Sequence, residues 1–176
     1  MKNAIKVADD IFMVPWYEGN GVIRRVIRVG VDGRAVQYLL AYYNLEYFSG
    51  DNGRVMGFDY ENGELKEWML GAGTAGTFGS LVELEERFEK QWNELPKQIV
   101  DPTEQPSAPG GIAAHDTGDY AEQKAMRLTI AKGDAADFFR RGRELAAKAE
   151  RGEAISPEKI ILFGHRHELC YTIRGE

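Results

Sequence analysis

The side chains of this 176-residue sequence that could do chemistry are arginines and carboxylates placed near tight turns. Asp51-Asn52-Gly53-Arg54 sets Arg54 beside a turn, where its planar guanidinium could hold a phosphate through two parallel hydrogen bonds. Asp59 and Glu67 could act as a general base, with Arg54 or Lys66 stabilising developing negative charge. The plainer reading of these residues is a hairpin turn with charged neighbours. Arg24 and Arg28 stand four apart on a strand-like run and so share one face. With Tyr42, flanked by Tyr38 and Tyr43, they could stack on and bind single-stranded RNA. The alternative is the wet side of an ordinary sheet.

His165-Arg166-His167 places two histidines two apart, a spacing that turns both to one side of a strand. A metal site needs three or four ligands, and no third is obvious beside Glu168, His115 and Cys170. Neither a metal nor another cofactor is expected. Cys170 is the only cysteine, so no disulfide framework can form, and a reducing, cytoplasmic setting is expected. No apolar run approaches the roughly 20 residues of a membrane span, so no membrane partner is expected.

The elements that must position these residues fall into two groups. Val22 to Val31, Ala35 to Tyr43, Arg54 to Asp59 and Leu65 to Leu70 are strand-like, separated by Asp32-Gly33, Asp51-Asn52-Gly53 and Asn62-Gly63. Ile11 to Val14 could add a fifth strand, which Pro15 would confine to an edge. Ser80 and Glu83 form a capping-box pattern, and Leu81, Leu84, Phe88, Trp92 and Leu95 make one apolar helical stripe that Pro96 ends. Further on, Met126 to Ala131 reads as a strand, Ala135 to Arg151 as a helix capped by Asp134 and Gly152, and Lys159 to Phe163 as a strand. The expected fold is α+β: a four- to five-stranded antiparallel meander with one packed helix, then a small strand–helix–strand arm.

Residues 96–120 separate the two groups. They hold four of the six prolines and few large apolar residues, the composition of a linker. The expected organisation is therefore a domain over 1–95, a linker over 96–120 and an arm over 121–176. The net charge of −6 divides unevenly: −5 in the first segment, −3 in the linker and +2 in the arm. The arm is too short to bury a core alone, so Phe138, Phe139, Arg141, Leu145 and Ile161 are expected to contact a protein surface. That surface could be the chain's own front unit, a second copy or a host complex. Arg140, Arg141, Arg143 and Lys148 could contact nucleic acid, but Glu144 offers them local partners, as on a solvated helix face. The acidic total argues against DNA; RNA is kept as a second kind of partner.

Tyr38 to Leu95 resembles the TumE family of toxins from type II toxin–antitoxin systems. The resemblance rests on Leu40-Ala41-Tyr42-Tyr43-Asn44, on Gly50-Asp51-Asn52-Gly53-Arg54-Val55-Met56-Gly57-Phe58-Asp59, on Gly71 and on the helix from Ser80 through Phe88 and Trp92. Met126 to Phe163 is similar to the amino-terminal part of the TumA-like antitoxins, through Leu128-Thr129-Ile130, Phe138-Phe139, Arg151-Gly152-Glu153 and Pro157-Glu158. The resemblance implies a toxin-like domain tethered to an antitoxin-like arm. The family toxins carry a histidine-rich cluster just after the third turn, where this sequence has Leu65-Lys66-Glu67-Trp68. A side chain suited to moving protons near neutral pH is thus missing. The antitoxins continue into a DNA-binding winged helix, and DNA binding by that route is not expected here.

Three functions are compatible with these residues. The first is a toxin–antitoxin-derived protein acting mainly through protein contacts, its toxin-like half catalytically degenerate and held by its own arm. The second is an autoinhibited, metal-independent ribonuclease. The third is an inhibitor carried by a mobile element, such as an anti-CRISPR.

Overall fold

Turn chemistry sets the strand lengths. In the computed structural model, which describes residues 3–15, 18–96 and 126–164, the first three strands are β1 (Ile5–Met13), β2 (Val22–Val29) and β3 (Ala35–Tyr43). At the β2–β3 turn the Arg34 amide donates to Asp32 Oδ1 at 3.0 Å. Strands β4 (Arg54–Glu61) and β5 (Glu64–Met69) meet at Asn62-Gly63, whose φ values of 49° and 93° suit a two-residue hairpin. A short strand β6 (Ala72–Ala75) follows. These six strands form one antiparallel meander.

Helix α1 (Leu81–Glu94) begins where Ser80 accepts a side-chain hydrogen bond from the Glu83 amide at 3.1 Å. It stops because Leu95, preceding Pro96, takes an extended conformation. The second group of elements is β7 (Arg127–Lys132), α2 (Ala135–Arg151) and β8 (Glu158–Phe163). Asp134 and Asp137 make a reciprocal capping box at the start of α2. Gly152 closes its end in the left-handed region, φ 71°, which glycine adopts without strain.

The eight strands form one sheet in the order β6-β5-β4-β3-β2-β1-β8-β7. Strand β8 lies parallel to β1, with Ile11 opposite Ile161, and β7 lies parallel to β8 beyond it. The fold is α+β, but two expectations change. The first unit has six strands, because β6 is too short and small in its side chains to leave a pattern. The strand–helix–strand arm is no satellite: its strands extend the same sheet. Strand β1 is consequently central, and Pro15 does not confine it to an edge, because the proline lies beyond the strand's last residue.

Both described helices, α1 and α2, cover one face of the sheet. Phe58 meets Phe88 edge-on at 6.1 Å, Tyr42 meets Trp92 at 6.2 Å, and Phe12 faces Phe138 at 5.9 Å. Phe139 touches Phe88 and Trp92, joining α2 to α1. Among the described residues no helix is long and apolar enough to cross a membrane.

Candidate functional site

Residues directly opposite each other across neighbouring strands share a face, so the register sorts every candidate. One row crosses the sheet as Ile130, Ile161, Ile11, Arg24, Ala41, Gly57, Trp68 and Gly73. It lies on the face away from the two described helices, here called the open face for that reason alone, since Asp9, Ile11, Arg24 and Ala41 on it are buried. The next row on the helix face runs Thr129, Ile160, Asp10, Arg25, Leu40, Phe58, Glu67 and Thr74.

Arg24, Arg28 and Arg54 all belong to the open face, as the shared-face reading of Arg24 and Arg28 requires. Arg24 makes a bidentate pair with Asp9 at 3.0 Å, and Lys6 joins the same carboxylate at 3.3 Å. Burial opposes ionisation of Asp9, but the hydrogen bond and charge of Arg24, helped by Lys6 and Lys159, hold its carboxyl below the usual value. Tyr42 is not on this face. Opposite Ile23, it turns into the core against Trp92, and its hydroxyl donates to the Asn20 carbonyl at 2.8 Å. Tyr38 likewise lies on the helix side, where its hydroxyl donates to Glu85. Of the three tyrosines only Tyr43 accompanies the arginines, and burial raises its pKa. A stacking platform of Arg24, Arg28 and Tyr42 is therefore not assembled, because the period of two sends Tyr42 to the opposite face.

The catalytic candidates are also divided. Asp59 lies opposite Lys66 on the open face, whereas Glu67 lies opposite Phe58 on the helix face. Asp59 accepts from Trp68 Nε1 at 2.8 Å and from Arg54 at 3.2 Å. Arg54 also pairs with Asp51 at 2.7 Å and stacks over the Trp68 ring at 4.2 Å, with Lys66 on that ring at 4.4 Å. Glu67 is paired with Arg87 of α1. The depression around the β4–β5 turn is lined by Lys66 and Trp68 from one face and Tyr60 and Phe78 from the other. It wraps the end of the sheet and does not enclose a chamber that would exclude water.

The arm residues converge on the front unit. Phe138, Phe139 and Leu145 are buried in the core, and Arg141 donates to Asp10 at 3.2 Å and pairs with Glu158 at 3.5 Å. Ile161 is half-buried on the open face against Ile11 and Met13. Glu150 accepts from the Leu81 amide at the start of α1, and Arg143 pairs with Glu89 at 2.8 Å.

Beneath this docking lies a buried charge network. Arg25, with no exposure, binds Glu85 through two nitrogens, Asp10 at 3.0 Å and the Phe138 carbonyl at 3.1 Å. Its guanidinium lies 4.0 Å from the Phe138 ring centroid. Burial disfavours the arginine's charge, but Glu85 more than offsets it and the pKa of Arg25 is raised. The Tyr38 hydroxyl is pushed well above its ordinary value, first by burial and then by the charge of Glu85. Gly142 of α2 passes so close that a methyl group there would overlap both Arg25 and Glu85. The sequence carries a signal for each of these residues. Arg25 alternates with Ile23 and Ile27, and Glu85 sits on the helical stripe between Leu81 and Phe88. A charge on an apolar face at each place marks a buried pair.

His115, His165, His167 and Cys170, and the linker from residue 97 onwards, lie outside the described residues. Among the described residues no three histidine, cysteine, aspartate or glutamate side chains gather as a metal site would. In comparisons with known proteins, no family model, no curated protein and no solved structure matches this chain.

Proposed function

We propose that this chain is a toxin–antitoxin-derived protein that acts through protein contacts, with a catalytically degenerate toxin-like half held by its own antitoxin-like arm. The observation that carries the reading is the separation of Asp59 and Glu67 onto opposite faces of the sheet, each tied to an arginine. A general base has to reach the proton it removes, and an electrostatic stabiliser has to reach the same reacting atom. These groups have no common space in which to do so. The docking of Phe138, Phe139 and Arg141 on the front unit supports the second half of the reading.

The reading of an autoinhibited ribonuclease keeps one observation in its favour: Arg24, Arg28 and Arg54 share the open face. Expression of the full chain, and of the full chain carrying Arg54→Ala, Asp59→Asn and Glu67→Gln together, separates the two. Growth and total RNA integrity are scored for both, before and after cutting a protease site introduced in the linker. Intact RNA throughout is expected. RNA cleavage by the unmutated chain that disappears in the triple variant would replace this reading with the ribonuclease one.

A further inference from the structure

The apolar content of the sheet is not confined to the helix face. Ile11, Met13 and Val22 form a second buried cluster, with Ile161 and Phe163 packed against it. Met13 lies two residues from Ile11 along β1 and so shares the open face. Phe163, Met13 and Val22 stand opposite one another across β8, β1 and β2. Met13 has no exposure at all, and Ile11 and Val22 keep 4% each. Side chains on a strand stand roughly perpendicular to the sheet, so neighbours in a row shield their flanks and leave their tips to whatever lies above. Neither α1 nor α2 lies above this cluster, because both pack on the other face. A sheet buried on both faces needs a layer on each.

We propose that residues 165–176, which follow β8, supply that layer by docking across β8, β1 and β2 on the open face. Position favours this segment. Strand β8 ends at Phe163, opposite Met13, and Gly164 lies against Pro15 with no room for a side chain, so the segment starts beside the cluster. Reach is ample: neighbouring strands about 4.8 Å apart set Val22 about 10 Å from Phe163, a distance that three or four extended residues cover. Pattern favours it too. Leu169, Tyr171 and Ile173 alternate with Cys170 and Thr172, so an extended segment sets its large apolar side chains down on the cluster. Residues 97–125 carry Ile99, Val100, Ile112 and Tyr120 without such alternation. This deepens the reading of an arm held on the front unit, and rests on it: α2 grips one face of the sheet and the segment after β8 straps the other.

Methionine oxidation by hydrogen peroxide, followed residue by residue by mass spectrometry, tests the cover on the full chain. Met56, 1% exposed on the helix face, reports that the fold is intact, and Met69, 43% exposed, sets the rate of an open site. In the unsubstituted chain Met13 is expected to oxidise at least about tenfold more slowly than Met69. Leu169→Asp, Tyr171→Asp and Ile173→Asp together are expected to raise the Met13 rate at least about fivefold while Met56 stays slow. A second measurement needs no substitution: benzophenone maleimide on Cys170, the only cysteine, is expected to cross-link into residues 11–13 or 22–26. Met13 as fast as Met69 in the unsubstituted chain overturns the proposal. So does a Met13 rate unchanged in the triple variant, which assigns the cover to Trp16, Tyr17 or residues 97–125. Where the triple variant also speeds Met56, the cross-link decides, and links found only outside residues 11–13 and 22–26 overturn the proposal. The growth and RNA measurements do not read Met13, so either reading can fail while the other stands.

Discussion

Gly142 lies against the guanidinium of Arg25 with no room for even one added carbon. The contact crosses the boundary between the two halves of the chain: Arg25 belongs to β2 and Gly142 to the middle of α2. A glycine at that place costs helix propensity, so its packing role can be measured. At an exposed helical site, glycine to alanine would stabilise by about 1 kcal/mol. Gly142→Ala is expected to do the reverse and destabilise by about 1–3 kcal/mol, as overpacking does, because the atoms it meets belong to a buried ion pair. Urea unfolding of the full chain reads the sign directly.

Removing one member of the network should cost more than editing another. Arg25→Met leaves Glu85 buried with Tyr38 as its remaining partner, and a loss of about 3–5 kcal/mol is expected. Glu85→Gln keeps an oxygen that can accept from Tyr38 and Arg25, so its loss should be smaller. Chemical denaturation that ranks Glu85→Gln as the more damaging change would mean that the network is assigned to the wrong anchor.

Acid should weaken the fold partly through Asp9. Its folded pKa is lowered from 3.8, so the unfolded chain takes up the proton first as pH falls. Its contribution is complete above the unfolded value and is lost as the pH drops through the folded one. Asp9→Asn is therefore expected to lower stability at neutral pH and to flatten the decline measured by denaturation between about pH 5 and 2.

Alkali acts through Tyr42 with the opposite sign. Burial pushes its hydroxyl up to about 12, against a lowering by the hydrogen bond with Asn44. A raised pKa stabilises fully below the ordinary value of 10 and is lost as pH rises toward the folded one. Ultraviolet titration of phenolate should show a late step near pH 12 that vanishes in Tyr42→Phe. That substitution is expected to cost about 1 kcal/mol, for the bond to the Asn20 carbonyl.

Docking of the arm should depend on its aromatic residues far more than on its surface charges. Phe139 is fully buried between Phe88 and Trp92, and Phe139→Ala is expected to cost about 3–5 kcal/mol. The Arg143–Glu89 pair is partly exposed on both sides, and Arg143→Ala is expected to cost at most about 1 kcal/mol. Thermal or urea unfolding of the two variants gives the comparison, and similar losses would point to charge as the main attachment.

Local patterns by themselves determined most of the elements. Asp32-Gly33 and Asn62-Gly63 marked hairpins, Ser80 and Asp134 marked helix starts, and the bounds of β3 and α2 could be read to the residue. Such signals lie within a few neighbours, where turn geometry and periodicity act. The alternation of side chains also held the faces: Arg24 and Arg28 together, and Arg25 and Tyr42 on the apolar side. Tertiary structure alone decided that β8 slides beside β1, that the arm completes the sheet, and that Asp59 and Glu67 part company. Strand neighbours far apart in sequence are chosen by which exposed edge and which apolar face fit, and no short stretch of residues encodes that choice. The uneven charge between the halves was visible from composition. Its use, Arg141 reaching Asp10 over a buried Arg25, required the fold.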